Sequence, residues 1–320
     1  MSVGATFTVH VVAVREEAEG IRSIELAAPE GGLLPAFTAG AHIDVHLSEN
    51  MVRQYSLCNH PQERHRYVIA VMLDPQGRGG SRRIHSLTVG ERLRISEPKN
   101  FFELSSSGKS LLIAGGIGIT PILCMAQSLA SVGRTFSMHY AARTRSCTAF
   151  MNQIRRSDFA QSVSYYWSKE LDGKRLDFAH LLECSGPEDH LYVCGPRGFM
   201  EAALQTARAK GWPEPRLHYE FFTGEKVRLD TDSTFSVRLA SSGKTVEIAP
   251  DKSVVEALAE VGVEIPTSCE QGICGTCLTG VLSGEPDHRD MFLTPEEQAR
   301  NDKFLPCCSR SKSQELVLDL

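Results

Sequence analysis

The chain has 320 residues, a formal net charge of −5 and 42% hydrophobic residues, ordinary for a globular protein of two or three domains. The mildly acidic balance gives no ground for nucleic-acid binding, and no apolar run approaches the roughly 18 residues that a bilayer span needs. The first residues lack the basic start and apolar core of a secretory leader. The ten cysteines therefore read as reduced cytoplasmic thiols; Cys58, Cys124, Cys147, Cys184, Cys194 and Cys308 share no disulfide-framework spacing.

Residues 1–104 predict an antiparallel β-barrel. Short strands at 7–14, 21–26, 43–47, 54–57, 67–73 and 92–95 alternate apolar and polar residues between Gly and Pro turns. One short helix is expected along 81–87. Residues 105–224 change character: the all-apolar strand 111–114, a Gly-rich turn and a helix at 121–129 come first. Strand 135–140, a helix around 149–154, strands 163–167 and 191–194 and helix 197–209 follow. Strands alternating with helices predict a doubly wound α/β domain. Residues 225–234 are polar and aperiodic, as a linker is. Residues 235–320 begin with a hairpin, 235–239 and 245–248, joined at Ser242 and Gly243. A capping box at Ser253 and Glu256 starts a helix that Gly262 stops. A second short helix starts at Thr294, and 316–320 is the last strand.

Four stretches carry chemistry. Cys269, Cys274 and Cys277 have C-x4-C-x2-C spacing, and Cys307 follows after twenty-nine residues. That is the plant-type ligand pattern of a [2Fe–2S] cluster. Gly272 and Gly275 allow the backbone to bend tightly there. Zinc and plain structural cysteines are the alternatives, but zinc sites pair two C-x2-C units or add His. Gly115, Gly116 and Gly118 lie between a strand and a helix, as a pyrophosphate loop does, with Thr120 as N-cap and Pro121 in the first turn. A simple tight turn is the other reading. Cys194, Gly195 and Pro196 follow a strand of the same sheet, where ligands gather off the carboxyl ends; a packed Cys is the alternative. Arg53, Tyr55 and Ser56 offer a guanidinium fork, a ring and a hydroxyl, with Gly79, Gly80 and Ser81 as a second phosphate cradle. No acid–base dyad stands out. Glu285, Asp287 and Asp290 read as a solvated face, or as an acidic dock for a basic protein.

Taken in order, RQYSLCN, GRGGSRRIH, AGGIGITPIL, CGPRGFM, CEQGICGTC and PCCSR resemble the phthalate dioxygenase reductase family over essentially the whole chain. The resemblance implies FMN in the barrel, NADH on the central sheet and a β-grasp ferredoxin domain with a [2Fe–2S] cluster at the C-terminus. It implies Arg53, Tyr55 and Ser56 at the flavin, with Ser56 near N5, and Ala70 and Val71 at the isoalloxazine. It places Gly79, Gly80 and Ser81 at the FMN phosphate. Thr120 would lie between flavin and nicotinamide, and Phe222 would shield the flavin face. Gly115, Gly116 and Gly118 would hold the NAD pyrophosphate, and Cys194, Gly195 and Pro196 the nicotinamide side. Cys269, Cys274, Cys277 and Cys307 would ligate the cluster. The implied activity is an electron relay from NADH to a Rieske-type oxygenase component, by a chain with no feature demanding more than a monomer. A self-contained flavin enzyme reducing a quinone is the alternative. The loop after strand 135–140 carries Arg143 and Arg145 where an acid would bind the NAD ribose, which leaves NADPH open.

Overall fold

The computed structural model describes residues 6–48, 51–77, 79–170, 175–183, 185–186, 188–222, 232–267, 272, 275–290 and 292–320. Cys269, Cys274, Cys184 and most of the expected linker lie outside them. The chain divides into two compact units, Met1–Phe222 and Thr223–Leu320.

The first unit opens with strands β1 (Thr6–Ala18), β2 (Ile21–Ala27), β3 (His42–Ser48), β4 (Met51–Ser56) and β5 (Tyr67–Met72), helix α1 (Gly80–His85) and strand β6 (Arg92–Ser96). Their order in the sheet is β4-β3-β6-β1-β2-β5, all antiparallel. A bridge from Leu57 to Ile69 joins the two ends, so the sheet closes as the alternating pattern predicts. Val9, Ile24, Ile43, Val45, Leu57, Ile69 and Ile95 fill the interior without measurable exposure.

The same unit continues with β7 (Ser110–Gly115), α2 (Ile119–Ser131), β8 (Phe136–Ala142), α3 (Met151–Arg155), β9 (Val163–Trp167), α4 (Phe178–Glu183), β10 (His190–Cys194), α5 (Arg197–Ala209) and β11 (Leu217–Glu220). The sheet order is β11-β10-β7-β8-β9, all parallel. All six residues of β7 are buried, which explains its unbroken apolar run. From β7 the chain winds to β8 and β9 on one side, then returns to β10 on the other. The switch point therefore falls at the carboxyl ends of β7 and β10. Gln127 of α2 ties this sheet to the barrel by donating to the Cys58 carbonyl at 2.9 Å.

The second unit contains β12 (Phe235–Leu239), β13 (Thr245–Ile248), α6 (Val254–Glu260), β14 (Thr279–Ser283), β15 (Pro286–Asp287), α7 (Pro295–Gln298), β16 (Lys303–Phe304), β17 (Arg310–Ser311) and β18 (Glu315–Leu318). The main sheet is ordered β13-β12-β18-β14-β16, with β12 and β18 parallel at its centre. The capping box of Ser253 with Glu256 forms, and Thr294 makes a second one with Glu297. Val254, Ala257 and Leu258 of α6 join Val237, Phe304 and Leu316 in one core. Among the described residues no helix is long and apolar enough to cross a membrane.

Two expectations fail here. Thr120 does not cap α2: the cap is Gly118, and the Thr120 hydroxyl donates back to the Ile117 carbonyl at 3.1 Å. A tight turn at Gly116–Gly118 starts the helix earlier than its Thr-Pro pair suggests. The acidic run is not one solvated face either. The Asp290 side chain is wholly buried, accepting from the Leu293 N–H at 2.9 Å and the Ser309 hydroxyl at 3.3 Å. Asp287 and Asp232 both pair with the buried Arg289. Only Glu285 stands in solvent, paired with Lys312 at 3.0 Å.

Candidate functional site

The switch point assembles two predicted motifs. A Cβ on Gly118 would collide with the carbonyl of Cys194, one on Gly115 would lie 2.9 Å from the Phe199 ring, and one on Gly195 2.9 Å from the Gly115 Cα. These three glycines let the β7 and β10 turns pack face to face. Gly116 differs: at φ +55° a Cβ there would meet nothing within 4 Å. It is the glycine of this loop that faces open space, where a phosphate can approach the backbone.

Cys194 has no exposed surface, and its thiol donates to the Glu220 carbonyl at 3.1 Å. Burial, with the Glu220 charge adding to it, pushes that thiol well above its ordinary value. It is no thiolate at neutral pH, so its part in the site is steric and positional.

Glu220 is the residue the sequence reading passed over. It ends β11, one place beyond Tyr219 and two before Phe222. Its carboxylate accepts from the Ser56 hydroxyl of β4 at 3.1 Å and lies 3.8 Å from Nδ1 of His42 on β3. Burial pushes it up to about 7, and the Ser56 bond opposes that shift. A carboxylate inside the aromatic run HYEFF was the available signal, because an acid rarely enters a core stripe without a partner. Thus Ser56, Cys194 and Glu220 form one cluster that joins barrel and sheet. Thr120, buried in the first turn of α2, and Phe222, packed on the edge of the same core, belong to the same unit.

Around the barrel, Arg53 runs against Gly80: a Cβ there would be 3.0 Å from the Arg53 Cγ. Gly79 has φ +93°, a conformation that disfavours other residues. Arg53 and the Gly79–Gly80 turn are thereby held together, as a phosphate cradle requires. The Ser81 hydroxyl is occupied locally, accepting from the Asp74 N–H at 3.0 Å. Burial pushes the Tyr55 phenol up to about 12, so it stays neutral. Ala70 and Val71 lie on β5 just past the closing bridge, and the Val71 carbonyl is engaged by His85 Nε2 at 2.8 Å.

At the end of β8, Arg145 is occupied. Glu170 accepts from its backbone N–H at 2.7 Å and from its Nε at 3.0 Å. Its guanidinium lies 4.4 Å over the Trp167 ring. An acid thus stands beside Arg145, from beyond β9 in the chain.

In the second unit Cys277 and Cys307 are both buried, and the Cys307 thiol has both Cys277 and Cys308 as neighbours. Neighbouring buried thiols near Gly272 and Gly275 suit a shared metal centre. Both glycines have positive φ, +73° and +70°. A Cβ on Gly275 would enter the Phe292 ring, and one on Gly272 the Cys308 sulfur. Cys308 is half-exposed and turned toward the Leu305 carbonyl at 3.7 Å. Among the described residues no group of three or more His, Cys, Asp or Glu could hold a metal; two of the four expected ligands fall outside them.

Comparison with known proteins agrees with this geometry. Residues 112–205 match the oxidoreductase NAD-binding domain, and residues 237–312 match the 2Fe-2S iron-sulfur cluster binding domain. The chain is thus an oxidoreductase that joins a nicotinamide domain to a [2Fe–2S] domain. It is 53% identical to the vanillate O-demethylase oxidoreductase of Pseudomonas putida, over 97% of this chain and 98% of that protein. It is 41% identical to the tetrachlorobenzoquinone reductase of Sphingobium chlorophenolicum, over 99% and 98%. A solved phthalate dioxygenase reductase, described as a modular structure for electron transfer from pyridine nucleotides to [2Fe–2S], superposes with a TM-score of 0.78 at 39% identity, covering 98% of each chain. The chain belongs to the phthalate dioxygenase reductase family.

Proposed function

We propose that this chain is the reductase component of a Rieske-type oxygenase or O-demethylase system, moving electrons from NADH through FMN and a [2Fe–2S] cluster to an oxygenase protein. The carrying observation is the 3.1 Å Ser56–Glu220 bond, which brings the predicted flavin motif against the strand beside Cys194. When bound, FMN takes a hydride and returns single electrons, and the cluster relays them.

The chain's own residues hold and orient. Arg53 with Gly79 and Gly80 would hold the FMN phosphate, and Tyr55 and Ser56 would face its ring system. The backbone at Ala70 and Val71 borders the isoalloxazine. Gly116 admits the NADH pyrophosphate, while Gly115, Gly118, Gly195 and Pro196 set the turns that Thr120 and Cys194 back. Phe222 would shield the flavin face. Cys269, Cys274, Cys277 and Cys307 ligate the iron. Because Glu170 already pairs with Arg145, NADH is favoured over NADPH.

The test is purification with cofactor analysis, then anaerobic NADH titration with the candidate oxygenase. Bound FMN and iron–sulfur, bleaching of both by NADH and reduction of the oxygenase are expected; an unbleached flavin contradicts the proposal. The likeness to a benzoquinone reductase favours a second reading, direct reduction of a small quinone. Quinone turnover without any protein acceptor, at rates exceeding those with the oxygenase, would select it.

A further inference from the structure

A [2Fe–2S] cluster gains one negative charge with each electron it takes, so the charges and hydrogen-bond donors close to it set how readily it is reduced. On the proposed function, on which this inference rests, that value decides whether an electron passes from flavin to cluster and on to the oxygenase. We propose that Asp290 is a positioning residue for the cluster: its buried carboxylate lowers the cluster's reduction potential, and its backbone holds Gly272 against Cys307.

Three stretches of the second unit converge on this residue. The Asp290 side chain has no exposed surface. Its Oδ2 accepts from the Leu293 N–H at 2.9 Å and its Oδ1 from the Ser309 hydroxyl at 3.3 Å, with His288 Nδ1 3.4 Å from that same oxygen. Gln298 Nε2 donates to the Asp290 carbonyl at 3.3 Å, which fixes the backbone as well. Ser309, itself 1% exposed, stands two residues after Cys307. From the other side Gly272 presses on Asp290. At its φ of +73° a Cβ there would lie 2.9 Å from the Asp290 Cα and Cβ, and would also enter the Cys308 sulfur. Gly272 lies between the proposed ligands Cys269 and Cys274. Its backbone N–H bears on the Cys307 thiol as a hydrogen-bond donor. Asp290 therefore touches the ligand loop through Gly272 and the Cys307 segment through Ser309.

An acid so deeply buried is uncommon without a strong cation beside it. The adjacent guanidinium, Arg289, is engaged with Asp232 and Asp287. The Asp290 oxygens have an amide, a hydroxyl and an imidazole instead. Its charge is therefore spread over hydrogen bonds rather than cancelled by a guanidinium or ammonium. In a water-poor interior it acts on added charge with little screening. The turn to Leu293 does not by itself call for a charge, because an asparagine oxygen accepts the same N–H. Two contributions thus oppose each other at the cluster. The Gly272 N–H on sulfur eases reduction, and the carboxylate resists it. The packing of Asp290 on Gly272 keeps the two at a set separation.

The test is an anaerobic redox titration of holoprotein in wild type, Asp290→Asn and Ser309→Ala, with the cluster followed by electron paramagnetic resonance and the flavin by absorbance. Asp290→Asn keeps the shape and removes the charge. Its cluster should become easier to reduce by about tenfold, a rise of ~59 mV for one electron. Ser309→Ala takes one donor from the carboxylate and should shift the cluster the opposite way, to a lower potential. In both variants the flavin midpoint and the rate of flavin reduction by NADH should equal wild type. A cluster potential in Asp290→Asn at or below the wild-type value overturns the proposal, as do shifts of the same sign in the two variants. If Asp290→Asn holds no cluster after reconstitution with iron and sulfide, Ser309→Ala decides. A lowered potential there upholds the proposal, and any other result, loss of the cluster included, overturns it. A wild-type protein without a cluster signal, or with a flavin that NADH cannot reduce, strikes the proposed function itself, which keeps the two failures distinct.

Discussion

Glu220 is held toward its uncharged form by the same packing that aims it at Ser56, and this has a consequence for stability. Unfolded, the carboxyl ionises near its ordinary value of 4.5; folded, near 7. Between these pH values the folded chain keeps a proton that the unfolded chain has lost, so stability falls as pH rises through the window. The whole effect is on the order of 3 kcal/mol. Both tryptophans, Trp167 and Trp212, lie in the first unit, so their fluorescence during urea unfolding reports on it alone. Wild type should lose stability relative to Glu220→Gln between pH 4.5 and 7, and parallel pH profiles would contradict the shift. Ser56→Ala removes the hydroxyl from the pair. Flavin reduction by NADH should slow by roughly tenfold to a hundredfold, with the cluster still bound; stopped-flow rates equal to wild type would remove Ser56 from that role. Ser56 was legible because it sits in a recognisable run of residues. Glu220 was not, since its significance comes from pairing with strand β4, far away in sequence.

At the scale of elements, most of the architecture was legible because each pattern has a direct physical cause. Alternation fixed the barrel strands, the apolar run marked β7, and paired side-chain and backbone bonds marked the capped helices. What escaped were α4, the strands β11 and β14, and the two-residue strands β15, β16 and β17, the last three too short to show a period. The start of α2 escaped as well, because the turn at Gly116–Gly118 outweighs the Thr-Pro signal. That turn is a point of high steric demand. Gly118→Ala should destabilise the first unit by about 1–3 kcal/mol, read from the urea midpoint, because its Cβ would press on the Cys194 carbonyl. Unchanged stability would mean the β7 and β10 turns are not in contact. Beyond β9, Glu170 decides how Arg145 presents itself. Glu170→Gln should raise the NADPH-to-NADH ratio of kcat/KM by roughly tenfold, through a charge change of about 1.4 kcal/mol. A ratio equal to wild type would place the 2′-selectivity elsewhere.

For the whole molecule, the two units divide the electron chemistry between them. On the proposed function the first would bring a hydride donor and a flavin together at the switch point, and the second keeps Cys277 and Cys307 buried. Cys307 is buried with Cys277 and Cys308 as neighbours, whereas Cys308 itself is half-exposed with its sulfur 3.7 Å from the Leu305 carbonyl. The most direct measurement is anaerobic stopped-flow reduction by NADH in Cys307→Ala and Cys308→Ala, followed at the flavin, the cluster and a one-electron protein acceptor. Cys307→Ala should keep flavin bleaching but lose cluster absorbance and acceptor reduction, while Cys308→Ala keeps all three. Acceptor reduction at the wild-type rate in Cys307→Ala would contradict the relay.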